Sequence, residues 1–504
     1  MSERTYRLNP PDRTGFLLGL SLAQVVLGGL GAMLAASVFS RGHSLAATAI
    51  AVGVTATLLG RRKGEALIEV APVALQWGWR IARRRRRWFA PLPLLVDGSA
   101  RPIPLPPALQ GQRLIAIDGP TSGFASQAKI AVVHDELFGL VSLTLRAGGR
   151  RFGLIDADER CEALDAWGEL LDGWARERTP VEAIRWTEWA APAGLELHRV
   201  WLDEHQATSP LDEATSTYDQ LLIDAGPMVT PHEVLITLVV NGSKVNVVRS
   251  RRHERLRVAV DALLAETRSL VSRLDAAGLA AGDPLSPGEL GEAIRSRFDP
   301  WGLPARHKRA RSLGETFGVS PIEHSGPLSC ESTWGTWRTD DVVHRTYAVV
   351  EWPRRQLRAD WLGSVLLQGR GVVRAVTMIY EPIAPSRSRR AITFTDTKLE
   401  SDEHQRRSRG FRVPAALVRQ KDSVRQREQE LEDGHGEFAY SAVIAISAAS
   451  PEALEQSCSE VEELASQAGM TLRSLGGRHD QGVAATLPLA RSIAARPGWK
   501  DVTG

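Results

Sequence analysis

The chain has 504 residues, 43% hydrophobic and 24% charged, with a formal net charge of +3. That length suggests about three structural units with real cores, and the near-neutral balance excludes a molecule that binds polyanions over its whole surface. Three distant cysteines, Cys161, Cys330 and Cys458, argue against a disulfide framework or a zinc cluster and fit a reducing compartment.

The basic charge is concentrated at the start. Residues 1–90 hold 13 Lys/Arg against 4 Asp/Glu, a local balance of +9. Within that stretch, "GFLLGLSLAQVVLGGLGAMLAASVF" (15–39) carries no charge over 25 positions. As a helix it would be about 37 Å long, enough to cross a bilayer with tilt. "SRGH" (40–43) makes a turn, and "SLAATAIAVGVTATLLG" (44–60) supplies a second uncharged segment rich in Gly and Ala. The pattern predicts a transmembrane hairpin. A cleaved signal peptide would have a shorter apolar stretch and no second segment behind it. Arg4, Arg7 and Arg13 precede the hairpin and Arg61, Arg62 and Lys63 follow it, which by the positive-inside rule places both ends in the cytoplasm.

Residues 65–89, "EALIEVAPVALQWGWRIARRRRRWF", read as an amphipathic segment at the membrane surface. Trp77, Trp79 and Trp88 suit headgroup depth, and Arg80, Arg83, Arg84, Arg85, Arg86 and Arg87 suit anionic lipid. Nucleic-acid contact by the same run is the competing reading. It lacks an adjoining stacking platform or base-reading motif.

A Pro/Gly-rich lead-in (91–111) opens the remainder. Strands are predicted over 129–136, 138–149, 181–190 and 232–240, with helices over 156–178, 210–226, 249–278 and 286–298. The second half has the same rhythm: strands over 344–353, 372–383, 437–448 and 470–477, and helices over 359–368 and 450–469. A charged helical stretch covers 386–433, broken near Gly410 and Pro414. The expected architecture is α+β: a transmembrane hairpin (1–64), a juxtamembrane helix (65–90), a linker (91–128), a first α+β domain (129–300), a linker (301–333), a second α+β domain (334–491) and a tail (492–504). A ferredoxin-like β-α-β-β-α-β topology is expected for at least the second domain.

Signatures of chemistry are few. None of the seven lysines stands in a P-loop frame, and "RAGGRRFG" (146–153) lacks the lysine such a loop needs. His324 and Cys330 have no second pair to complete a tetrahedral metal site. There is no G-x-S-x-G elbow. "DADE" (156–159) reads as an acidic first helical turn favoured by the helix dipole. No catalytic, cofactor-binding or metal-binding residue is therefore assigned. "EHQRRSRGFR" (403–412), with Arg406, Arg407, Arg409 and Arg412, is either a solvated helix face or a contact for an acidic partner.

Three stretches carry a resemblance: "HRTYAVVEWPRRQLRADWLGSVLL", "YEPIAPSRSRRAI", and "REQELEDGHGEFAYSAVIAISAASPEALEQ" running on to "TLPLAR" (486–491). Over roughly 340–491 the chain resembles the N-terminal, non-motor part of the conjugative type IV secretion ATPases. Its N-terminal layout is similar to the EccE component of type VII secretion. The resemblance implies an actinobacterial, membrane-anchored, non-enzymatic docking subunit at the plasma membrane, its soluble domains cytoplasmic. It also implies a separate P-loop ATPase as partner, and homo- or hetero-oligomerisation. A membrane-tethered nucleic-acid binder and a degenerate enzyme domain are the alternatives. No cofactor is expected.

Overall fold

The computed structural model describes residues 22–62, 65–90, 105–124, 128–148, 156–191, 232–245, 252–276, 280–306, 325–353, 355–358, 360–369, 371–408 and 415–491, with a few single positions between them. The leader comprises α1 (Leu22–Ser40), α2 (Ser44–Leu59), a two-stranded β1 (Arg61–Arg62) and β2 (Glu65–Ala66), α3 (Leu67–Ala82) and β3 (Arg87–Phe89). A first lobe follows: β4 (Gln112–Asp118), β5 (Lys129–Asp135), β6 (Leu140–Gly148), α4 (Ala157–Asp172), β7 (Val181–Ala190), β8 (His232–Asn241), α5 (Arg252–Ala276), β9 (Ala280–Pro284) and α6 (Pro287–Phe298). The second lobe holds β10 (Ser329–Ser332), β11 (Trp337–Thr339), β12 (Val342–Glu351), α7 (Gly363–Leu367), β13 (Val373–Ile383), α8 (Pro385–Ser408), α9 (Ala415–Glu432), β14 (Glu437–Ala448), α10 (Pro451–Gln467), β15 (Thr471–Ser474) and α11 (His479–Thr486).

Local chemistry explains the main elements. In β8, "HEVLITLVV" is a β-branched run whose centre is buried on both faces, as a strand covered on both sides requires. A full capping box, Ser286 with Glu289, opens α6, with Pro287 in its first turn. Ser450 accepts from the Ala453 N–H to start α10, and Asp156 accepts from the Glu159 N–H to start α4. The "DADE" stretch is thus a helix cap and first turn.

The strands form one 13-stranded sheet in the order β3-β10-β11-β12-β14-β13-β7-β8-β6-β5-β4, with β15 also on β12 and β9 also on β6. Every ladder is antiparallel. Read outward from the central β7–β13 ladder, the two lobes are the same: β13-β14-β12-β11-β10 on one side and β7-β8-β6-β5-β4 on the other. Each lobe runs β-α-β-β-α-β from β6 to β9 and from β12 to β15, with a two-stranded extension on its outer side. Two units of one topology joined across an antiparallel ladder are related by an approximate two-fold axis. Thr187 and Thr377 are partners at that junction, their hydroxyls hydrogen-bonded at 2.9 Å.

One sheet face carries two cores side by side. Leu143, Leu145, Ile184 and Leu238 pack with Trp174, Leu263 and Leu270 of the first lobe. Val343, Tyr347, Ile444 and Ile446 pack with Val365, Leu454, Val461 and Ala465 of the second. Trp186 and Tyr380 lie against both. On the opposite face a single cluster spans the lobes, built from α6 (Leu290, Ile294, Phe298), α11 (Val483, Ala484) and Leu487 and Leu489 beyond it, over Ala131, Trp189, Trp337, Ala375 and Ala445.

Two expectations are corrected. The apolar N-terminal segments do form a helical hairpin, of which 19 residues of α1 and the 16 of α2 are described. At 1.5 Å per residue α2 is about 24 Å long, short of the roughly 30 Å hydrocarbon core. Among the described residues no helix is long and apolar enough to cross a membrane. Residues 1–21, with the start of the expected first span, lie outside the described residues. Nor do the two α+β domains have sheets of their own: β7 and β13 pair from Arg374↔Ala190 to Tyr380↔Ile184 and make them halves of one sheet. The stretches read as linkers supply β4 and β10, whose short runs lack the strong alternation of the central strands. The helix expected over 210–226 and the tail 492–504 fall outside the described residues, apart from single positions.

Candidate docking surfaces

The α1–α2 hairpin packs tightly on itself. A Cβ at Gly31 would come within 2.6 Å of a Val54 methyl carbon, so the closest approach of the helices requires glycine there. Its outer surface is apolar and open: Met33 is 75% and Leu45 88% exposed, and Leu30, Leu34, Phe39 and Val52 are all more than half exposed. α3 adds exposed Leu75, Trp79 and Ile81. A contiguous apolar surface of this kind is uncommon on a lone soluble chain and marks a site of interaction.

The arginine run is the turn between α3 and β3, and the body divides it in two. Arg80 reaches back to Asp480, with N···O at 2.8 Å and the acid side chain 7% exposed. It also donates to the Gly477 carbonyl. Trp77 stands edge-on to Trp334 at 6.0 Å. Arg87 pairs with Glu331 at 2.8 Å, and β3 runs antiparallel to β10, placing Trp88 against the core that spans both lobes. Trp77, Arg80, Arg87 and Trp88, expected to meet lipid, are therefore the contacts that hold the leader to the second lobe. Trp79 and Arg83, Arg84, Arg85 and Arg86 remain on the surface. The Arg83 guanidinium lies 4.0 Å from the Trp79 ring centroid and that of Arg85 5.8 Å, both in cation–π range. Arg84 has φ +54°, a left-handed backbone unfavourable for a side-chain-bearing residue. Hydrogen bonds pin the turn: the Arg85 N–H donates to the Arg80 carbonyl, and the Ser332 N–H donates to the Arg86 carbonyl.

A third surface is the arm of α8 and α9, inserted between β13 and β14. Ile392, Leu399 and Val424 seal its two helices together, helped by Leu417 and Leu431. The remaining length is largely exposed, including Phe394 and Val418. Two acids of the first lobe hold its root: Glu177 accepts from the Ser386 N–H, and Asp172 accepts from the Gly436 N–H at 3.0 Å. Of the predicted partner-contact residues, Arg406 is exposed and Arg407 pairs with Glu403, which also binds Lys421. Those two cations draw the Glu403 carboxyl below its ordinary range, led by the Lys421 hydrogen bond. Arg409 and Arg412 lie outside the described residues.

The interior carries polar groups that sequence reasoning missed. After α11 the chain runs as a strap, 487–491, from the second lobe across the first. Buried Arg185 donates to the Leu489 carbonyl at 2.6 Å and to the Arg491 carbonyl. Burial lowers its pKa to about 10. Arg491 in turn grips fully buried Asp135 at 2.9 Å and donates to the Ala108 and Gln110 carbonyls. The first lobe reaches back symmetrically: Phe298 stands edge-on to Trp337, 5.9 Å away. His344 bridges the Thr339 and Ser447 hydroxyls at 2.6 and 2.8 Å, and burial pushes its pKa down to about 3. His479 accepts from the Thr346 N–H through Nδ1, and burial pushes it to about 4. Both imidazoles are neutral at physiological pH and act as hydrogen-bonding core residues. Burial raises the Cys330 thiol to about 12, which makes it a poor nucleophile. Among the described residues no group of three His, Cys, Asp or Glu side chains could hold a metal ion.

No family model matches the chain, and no curated protein matches it.

Proposed function

We propose that the chain is a non-enzymatic docking subunit of a bacterial secretion or conjugation machine, type IV-like or type VII-like, that works beside a separate P-loop ATPase. The carrying observation is the open apolar α1–α2 hairpin, joined through a pinned arginine turn to a broad two-lobed body. An apolar hairpin with a cationic, tryptophan-bearing base fits a lipid surface: the hairpin dips into the acyl region and Trp79 sits at headgroup depth. The body then faces the cytoplasm. The arm, rooted by Asp172 and Glu177, extends toward the partner ATPase, with Arg406 and Arg407 near its tip.

The test is a tagged full-length chain extracted from its native membrane in mild detergent, with co-purifying chains identified and the complex sized. A large assembly containing a P-loop ATPase is the expected result. A lone chain without one overturns the docking role. Replacing Leu45 and Val52, both exposed, with Arg should move the protein out of the membrane fraction without lowering its thermal midpoint. Unchanged membrane retention of that double variant removes the lipid seat. Binding to duplex DNA that falls steeply with salt and disappears when Arg83–Arg86 are neutralised would favour the nucleic-acid reading.

A further inference from the structure

The two lobes match strand for strand, and their outer strands are treated differently. In the second lobe the outer strand, β10, is covered by β3: Ser329 faces Phe89, Cys330 faces Trp88 and Glu331 faces Arg87. Its counterpart in the first lobe is β4, the last strand on the other side of the sheet. All seven residues of β4 pair inward with β5, from Gln112↔Asp135 to Asp118↔Lys129. Among the described residues no strand pairs with its outer side.

β4 is also not built as a protected edge. Natural edge strands are blunted by proline, by lysine or other inward-facing charges, by bulges, or by being short. The sequence of β4, "QRLIAID", contains no proline, its two charges, Arg113 and Asp118, stand toward its ends and leave Leu114–Ile117 uncharged, its ladder to β5 runs without a register shift, and it is longer than β10. Ile115 and Ile117 pack against the first-lobe core while Arg113, Ala116 and Asp118 are exposed. The result is a regular, half-apolar row of backbone donors and acceptors facing outward.

We propose that the outer edge of β4 is the dimerisation surface of this protein, and that the β4 strand of a second copy occupies it, antiparallel, about a two-fold axis at Ile115. Three observations choose a second copy. The equivalent edge in the same chain is closed by an antiparallel strand, so an antiparallel strand is the element this edge geometry accepts. A strand pairing with its own copy about Ile115 uses all seven residues. It also places Gln112 opposite Asp118, Arg113 opposite Ile117 and Leu114 opposite Ala116, so no like charges meet. Finally, two-fold pairing extends across chains the relation that already joins the two lobes within one, giving a single continuous sheet.

The test uses the full chain in detergent, so that association through the apolar hairpin is suppressed. Sedimentation should give a dimer. Ile115→Cys in a Cys161→Ser background should form a disulfide-linked dimer on mild oxidation, because residues facing one another in an antiparallel ladder have Cα atoms about 4.5–5.5 Å apart, within disulfide reach. Cys330 and Cys458 are buried and do not compete. Leu137→Cys, 62% exposed in the β5–β6 turn, controls for random collision. At least a tenfold faster cross-linking of the 115 variant is expected. A monomer in sedimentation overturns the proposal. So does a dimer in which Ile115→Cys cross-links no faster than Leu137→Cys, since its interface would lie elsewhere. Neither result bears on the partner ATPase or the lipid seat.

Discussion

The two lobes share one strand order and one set of ladders, yet among the described residues the leader and the helical arm attach to the second, while the open sheet edge lies in the first. The leader docks on the second lobe through β3 on β10, Trp77 on Trp334 and Arg80 on Asp480. The α8–α9 arm grows from its β13–β14 connection, while the matching stretch of the first lobe, 191–231, lies mostly outside the described residues. The interiors differ too. On β6 the polar residues facing the inter-lobe core are Ser142 and Thr144, whereas β12 presents His344 and Thr346. A repeated framework has kept its backbone hydrogen bonding and its cores, while the attachments described on the two copies differ. The central ladder and the crossing segments make the copies interdependent, so neither lobe buries its full apolar surface alone.

The strongest way to break this comparison is to cut the two crossing contacts. Arg491→Leu removes the cation from Asp135, which is fully buried, and stranding a buried charge costs about 3–5 kcal/mol. Phe298→Ala opens a cavity beside Trp337, for about 3–5 kcal/mol. If the crossings are equivalent, each variant lowers the midpoint of one shared urea transition. Two separated transitions in either variant would show that the lobes fold independently.

Acid should sharpen the comparison by acting on one lobe. His344 and His479 have folded pKa values of about 3 and about 4, below the ordinary 6.5, so the unfolded chain binds more protons than the folded one. Their contribution is complete above pH 6.5 and falls as pH drops toward those values, by up to about 1.4 kcal/mol per pH unit for each group. Hydrogen exchange at pH 7 and pH 5 should show β12 and α11 losing protection before β6 and β8. Equal loss in both lobes would place the acid sensitivity elsewhere.

A smaller effect is expected at the leader. Arg87→Ala removes the ion pair to Glu331, whose side chains are 67% and 41% exposed, for at most about 1 kcal/mol. β3 should become sensitive to limited proteolysis while the urea midpoint of the body hardly moves. A large midpoint shift would mean that the leader is part of the core fold.

Much of the framework was legible in the sequence, and the reason is physical. Long β-branched runs such as 232–240 and 437–448, and capped amphipathic helices such as 286–298 and 450–469, carry their own periodicity. Short strands do not: β4, β10 and β11 are recognisable only through their partners. The junction of the lobes was hidden as well, because nothing local in Thr187 or Thr377 distinguishes an inter-lobe pair from any strand interior. At the arginine run, residue type says nothing of the ion pairs of Arg80 and Arg87, whose acidic partners lie about 400 and 244 positions away in the chain. The clamp of Arg185, Arg491 and Asp135 is illegible for the same reason.

The finest probe is the junction itself. Thr187 and Thr377 are buried, and each hydroxyl finds the other at 2.9 Å. Thr187→Val or Thr377→Val alone removes that bond and strands the remaining hydroxyl, for about 1–3 kcal/mol. Replacing both with the nearly isosteric Val removes the bond without stranding a polar group, so the double variant should lose less than the sum of the singles, by about 1 kcal/mol in a urea-denaturation cycle. Strict additivity would show that each hydroxyl is satisfied by its own side of the ladder. The threonine pair would then be a coincidence of register, and the backbone ladder between β7 and β13, with the crossing contacts of Phe298 and Arg491, would carry the union of the lobes.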